Sequence, residues 1–136
     1  MMKWIDRSLV KSPYYIGLCR DEESFRKQLL RLKISPNHWP LWVKPMKDGA
    51  MHVFENKEQR KLCLIVCINS KSGDDPNAIV GLLIHEAVHV WQYIKQEIGD
   101  DEPSKEFEAY SIQSIAQELI VAYSTMESKK KDGNNQ

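Results

Sequence analysis

Two histidines and a glutamate stand close together in an otherwise apolar stretch of this chain. The stretch reads Leu-Leu-Ile-His-Glu-Ala-Val-His-Val, and its polar residues are His85, Glu86 and His89. On an α-helix, residues four apart lie on one face with Cβ atoms about 5–6 Å apart, so both imidazoles could bind one metal ion. Glu86 would lie about 100° further round the helix, where its carboxylate could reach a water molecule on that ion. The pattern predicts zinc-assisted hydrolysis, in which zinc lowers the pKa of its water to about 7 and Glu86 accepts the proton.

The element that must position these residues is a long helix, predicted over residues 77–98. Asp74 or Asp75 could cap its start, and Gly99 is the residue type that commonly follows the end of a helix. Within residues 79–91 the motif supplies the only polar side chains, which favours a place in the protein interior. Two buried histidines and a glutamate would be costly alone, and a metal ion would satisfy all three.

A catalytic zinc ion usually has three protein ligands and one water, so a third ligand is needed. A second helix is predicted after Ser104, and glutamates occur at Glu102, Glu106 and Glu108. Glu102 falls in the preceding loop, and Glu106 falls on the more polar side of the helix. Glu108 shares the apolar stripe with Ile112, which must face the interior. We therefore predict Glu108 as the third ligand, with Glu106 as the alternative.

The rest of the chain predicts an α+β fold. Strand patterns occupy residues 14–19, 51–55 and 62–68, and an amphipathic helix is predicted over 22–34. We expect a small antiparallel or mixed sheet of about three strands, packed against the motif helix and the helix that follows it. Residues 1–128 would form one domain, and 129–136 a disordered tail. Trp39 and Trp42 lie in a proline-rich loop, where they would plug an edge of the core or form an aromatic wall facing a substrate.

Charge and cysteine content narrow the function classes. The 136 residues include 19 basic and 19 acidic side chains, so the net charge is zero and neither nucleic acid nor a membrane is expected as a partner. Three cysteines leave at least one unpaired, which favours the cytoplasm over an oxidising compartment. Cys63 and Cys67 would lie about 13 Å apart on one strand, too far for one zinc ion, so burial is the better interpretation.

The spacing of the predicted ligands leads to a family resemblance. His85-Glu86-x-x-His89, followed after eighteen residues by Glu108, resembles the ligand pattern of the gluzincin metallopeptidases. The longer segments His-Glu-Ala-Val-His-Val-Trp-Gln and Glu-Phe-Glu-Ala-Tyr-Ser-Ile-Gln look like those of small phage and prophage proteins regarded as minimal gluzincins. The resemblance covers residues 80–123 and implies a zincin-like fold, a bound Zn²⁺, a peptide or protein substrate and a bacterial host cytoplasm.

The resemblance gives Glu86 the same role of general base and implies further roles that spacing alone does not assign. An edge strand, either residues 51–55 or 62–69, would pair with an extended peptide. Tyr110 is the nearest candidate for stabilising the oxyanion. Ile112 departs from the pattern, because thermolysin-like relatives have there an aspartate that orients a histidine.

Two other functions compete with a peptidase. A zinc-binding, metallopeptidase-like protein could bind a partner without cleaving it, which the small size of the domain favours because no second domain forms the far wall of a cleft. A zinc-dependent nuclease or other hydrolase is a further alternative, although the neutral net charge argues against a basic nucleic-acid groove.

Overall fold

A four-stranded mixed sheet is the centre of the fold in the computed structural model, which describes residues 2–4, 14–56, 61–71 and 73–134. The elements in chain order are β1 (Met2–Trp4), β2 (Tyr14–Cys19), α1 (Glu22–Arg31), a 3₁₀ turn (Pro36–His38), β3 (Gly49–Asn56), β4 (Lys61–Ile68), α2 (Pro76–Glu97) and α3 (Lys105–Asn134). The strand order is β1-β2-β4-β3, with β2 and β4 parallel and the two outer pairs antiparallel. The predicted α+β class is confirmed, with four strands instead of about three because β1 pairs with β2.

Each face of the sheet carries its own apolar core, because successive side chains of a strand point to opposite faces. On one face, even-numbered residues of β2 and β4 pack against α2 and α3. On the other face, Cys19, Ile65 and Cys67 pack with α1. Trp39 and Trp42 pack against this second core, as predicted for a loop that plugs its edge. All three cysteines are buried and free.

The position of β3 at the edge of the sheet matters for the site. β4 lies between β2 and β3, which explains why it is apolar on both faces. The Asn69 amide donates to the Asp48 carbonyl over 2.8 Å. Because backbone groups alternate along an antiparallel pair, Gly49, Met51 and Val53 must direct theirs toward the open edge. No backbone hydrogen bond joins these outward groups to another described segment.

Capping residues mark both ends of α2 and the start of α3. The Asp75 carboxylate accepts a hydrogen bond from the Asn77 amide over 2.9 Å, and Gly99 adopts a left-handed φ of +72° just beyond α2. The Ser104 hydroxyl accepts from the Phe107 amide over 3.2 Å at the start of α3. These caps are the ones that the sequence predicts. Among the described residues, no helix combines the length and apolarity needed to cross a membrane.

Two helix ends differ from the sequence expectation. α1 stops at Arg31 instead of residue 34, because Lys33 adopts a φ of +59° and turns the chain away from the helix. α3 continues through Asn134, although the sequence predicts a disordered tail from residue 129. Lysine is a good helix former, and no strong helix breaker interrupts the run before Gly133.

Candidate metal centre

The two histidines of the motif face each other on α2. The Nε2 atoms of His85 and His89 are 3.2 Å apart, and the two rings stand at 78° to one another. With Zn–N bonds of about 2.0–2.1 Å, two corners of a tetrahedral zinc site lie about 3.3 Å apart. The nitrogen pair therefore fits a tetrahedral zinc ion without any rearrangement of α2.

Gln92 fixes the orientation of one of these rings. The His89 Nδ1 lies 3.0 Å from the Gln92 Oε1, which can only accept a hydrogen bond. An Nδ1–H donor leaves the lone pair of His89 on Nε2, the atom that faces His85. Gln92 is therefore a partner that orients the His89 ring. Gln92 lies one helical turn after His89, so its spacing could have indicated this role.

Glu86 lies beside the histidines but points inward. It is 4% exposed, and burial raises the pKa of its carboxyl group, while His85 and His89 lower it. A Cβ atom at Gly49 would lie 3.0 Å from the Glu86 Oε1 and 3.3 Å from the Cys67 carbonyl oxygen. The absence of a side chain at Gly49 is therefore what lets β3 approach this carboxylate. No local sequence pattern could have predicted this contact, because it joins segments that are distant in the chain.

The prediction that the whole motif is buried is wrong for the histidines. α2 buries one face, which includes Leu83, Glu86 and Val90, whereas His85 and His89 are exposed on the opposite side. The sheet and α3 together cover only one side of α2, so the other side stays exposed. The desolvation argument for a metal ion therefore applies to Glu86 alone.

Glu108 does not meet the histidine pair in this structure. Its Oε2 accepts a hydrogen bond from the Trp91 indole over 2.9 Å and lies 3.5 Å from the Lys95 ammonium. These two donors lower the pKa of the Glu108 carboxyl group, the indole bond more than the ammonium. Among the described residues, no group of three histidine, cysteine, aspartate or glutamate side chains gathers where it could hold a metal ion.

The other two candidates lie at the surface. Tyr110 is 64% exposed and does not line either of the cavities beside the histidines. Glu106 is exposed in the first turn of α3. The structure therefore brings together His85, Glu86 and His89, and leaves Tyr110 apart from them.

Two neighbouring cavities share His85 in their lining, and we refer to the two together as the groove. One cavity, of about 750 Å³, extends past His89 toward the C-terminal half of α2, and the other, of about 670 Å³, extends toward its N-terminus. Both are lined by Gly49, His85 and Glu86. A ligand in this groove would contact the edge strand and the motif together.

Comparison with protein-family models, with curated proteins and with solved structures finds no match to this chain.

Proposed function

We propose that this chain is a zinc-dependent metallopeptidase. One observation carries the proposal: the two Nε2 atoms of His85 and His89 lie 3.2 Å apart in the lining of the groove, with the buried Glu86 carboxylate beside them. Imidazole nitrogens are preferred ligands of zinc, and two of them at this separation suit a tetrahedral site. A buried carboxylate next to such a site is suited to proton transfer.

The residues would divide the work of hydrolysis between them. His85 and His89 would hold zinc, which when bound would polarise a peptide carbonyl and lower the pKa of a water molecule. Glu86 would accept the proton of the attacking water and pass it to the leaving amine. Burial favours this role, because a raised pKa makes the carboxylate a stronger base near neutral pH.

β3 supports a peptide as the substrate. Of the two strands that the resemblance offers for this purpose, β4 is central and only β3 has an open edge. Its outward backbone groups at Met51 and Val53 could pair with an extended chain lying across the histidines. Such pairing would position a peptide bond beside Glu86.

The third zinc ligand remains Glu108 in this proposal, and it would have to exchange its bonds to Trp91 and Lys95 for the metal. These bonds also favour a second candidate function, a protein that binds zinc weakly and recognises a partner without cleaving it. The two functions differ in whether Glu86 matters for turnover.

The decisive test replaces Glu86 by glutamine and measures both zinc content and peptide cleavage. Glu86→Gln keeps the size of the side chain and one acceptor oxygen but removes the base, so we expect zinc binding to persist and turnover to fall by at least about 100-fold. Glu118→Gln, on α3, is the matched control. Full activity in Glu86→Gln would remove this residue from the mechanism. If the wild-type protein binds zinc but cleaves none of the peptides tested, the partner-binding function is favoured instead.

A separate pair of variants tests the third ligand. We expect Glu108→Ala to lose most of its bound zinc and Glu106→Ala to retain it, as measured by metal analysis of the purified proteins. Loss of zinc in the Glu106 variant alone would assign the ligand to Glu106.

A further inference from the structure

The two halves of the groove differ in charge. We name them the lysine half, which extends past His89, and the aspartate half, which extends toward the N-terminus of α2. The charged side chains of the lysine half are Lys44 and Lys47, together with Glu86 at the meeting point. The aspartate half contains Asp48, Asp74 and Asp75 against Lys47 and Lys71. A neutral protein thus has a groove that is positive at one end only.

A short turn places the two lysines at the wall of the groove. The Lys47 amide donates to the Lys44 carbonyl over 3.1 Å, and Pro45 and Met46 are the two central residues of this turn. Met46 has a φ of +64°, the left-handed conformation that type II turns require after a proline. Left-handed backbone is costly for a residue with a side chain and persists where the surroundings impose it.

The loop that carries this turn is fixed to the sheet. The His52 Nε2–H donates to the Trp42 carbonyl over 2.9 Å, and the Trp42 side chain packs against the core beneath. Neither Lys44 nor Lys47 forms an ion pair with a described residue. Two exposed ammonium groups therefore lie beside an open strand edge, held there by a constrained turn.

We infer that the lysine half of the groove binds acidic side chains of a peptide, on one flank of the bond that lies beside Glu86. This inference rests on the proposed peptidase function. A peptide paired with β3 would extend from the histidines along the lysine half, within reach of Lys44 and Lys47. A basic side chain there would meet like charge, and an acidic one in the aspartate half would meet the three aspartates.

A peptide fits this groove better than a nucleic acid. The open edge of β3 offers backbone donors and acceptors that pair with an extended polypeptide. Single-stranded nucleic acids are bound by basic grooves that also stack bases on aromatic rings. The aromatic side chain that lines the lysine half is Tyr93, and it is hydrogen-bonded to Glu97.

The test compares binding of six peptide pools that share one apolar centre. The peptides are acetylated and amidated to remove terminal charges, and each pool carries Glu, Gln or Lys on only one flank of that centre, either the N-terminal or the C-terminal one. Binding is measured by fluorescence anisotropy to wild-type protein in EDTA and to Glu86→Gln with zinc, because neither cleaves. We expect Glu on one flank to bind about three- to tenfold more tightly than Gln, Lys to bind more weakly than Gln, and the difference to shrink in salt.

Matched charge variants locate the effect. Lys44→Glu/Lys47→Glu should reverse the preference, whereas Lys105→Glu/Lys129→Glu changes the net charge equally and should leave it intact. Equal preference for Glu on both flanks, or binding of an oligo-dT strand stronger than that of every peptide pool, would overturn the inference. Cleavage of the same pools by the zinc-loaded wild type tests the peptidase function separately. Selective binding without cleavage would contradict that function alone, whereas cleavage without charge preference would contradict the groove assignment alone.

Discussion

At the scale of single residues, the contact between Gly49 and Glu86 is the most constrained feature of the site. The carboxylate occupies the space that a side chain at position 49 would fill. The Leu82 side chain and the Cys67 carbonyl oxygen also border this space, and the backbone oxygen cannot move far. The position of the proposed base therefore depends on a residue that does no chemistry itself.

Gly49→Ala should reduce activity more than stability. The added methyl group would displace the Glu86 carboxylate by a few tenths of an ångström, and small misplacements of a catalytic group cost about tenfold or more in turnover. Zinc binding should persist, because the three atoms nearest to the added methyl group belong to Glu86, Leu82 and Cys67 and not to a histidine. Kinetics and metal content of the variant would be compared with Gly133→Ala, which adds the same group where no atom lies within 4 Å. Unchanged kinetics would place the working position of Glu86 elsewhere.

His52 provides a pH dependence of stability that is independent of the metal site. Burial lowers its pKa below the usual value near 6.5, although the bond to the Trp42 carbonyl raises it. The unfolded chain therefore binds the proton more readily, and the free energy of unfolding should fall as the pH drops below about 6.5. The loss should level off below the lowered pKa of the folded state.

His52→Phe should flatten this pH dependence, because phenylalanine can pack beside Phe25 and Phe54 but cannot be protonated. Urea unfolding between pH 7.5 and 5 measures it, and His38→Gln, at an exposed histidine, serves as the control. If the free energy of unfolding of His52→Phe falls with pH as steeply as that of the wild type, groups other than His52 cause the effect. Glu86 is not one of them, because its raised pKa makes the folded state more stable as the pH falls.

At the scale of elements, α2 presents two different faces to two different partners. His85 and His89 share one face, and Trp91 and Lys95, which hold Glu108, share another. With 100° per residue, the two faces are separated by roughly 120° around the helix axis. Sequence spacing alone could not show that Glu108 contacts Trp91 and Lys95, because the docking angle between α2 and α3 decides which residues of α2 it meets.

Trp91→Phe tests whether this contact withholds Glu108 from the metal. The substitution removes the indole N–H and keeps a ring beside Phe107. Glu108 would then lose only its contact with Lys95 on moving, so we expect zinc affinity to rise about three- to tenfold, at a cost of about 1–3 kcal/mol in stability. Competition with a chromophoric chelator measures the affinity. A weaker affinity would mean that the indole orients Glu108 for zinc instead of withholding it.

At the scale of the whole molecule, metal binding and folding should be linked. His85 and His89 come together only in the folded helix, so zinc should bind the native state in preference to the unfolded chain. At a free zinc concentration 100 times Kd, the stabilisation is about 2.7 kcal/mol, which raises Tm on the order of 10 °C. Calorimetry should show this rise with zinc but not with magnesium, which prefers oxygen ligands. The same rise in His85→Ala/His89→Ala would place zinc elsewhere in the chain.

Local patterns in the sequence were sufficient to predict most of the elements. Helical spacing placed His85, Glu86 and His89 together on α2, and the residues Asp75, Ser104 and Gly99 marked helix ends that the structure confirms. These features depend on neighbours within about four residues, where backbone geometry fixes the distances. The α+β class followed from the same periodicities.

Contacts between distant segments were decided only by the tertiary structure. The pairing of β1 with β2, the open edge of β3, the approach of Gly49 to Glu86 and the engagement of Glu108 by Trp91 all join residues far apart in the chain. The exposure of His85 and His89 belongs with them, because it depends on which faces of α2 the sheet and α3 cover. Sequence periodicity assigns a residue to a face of its own helix, but the packing of the other elements determines what that face meets.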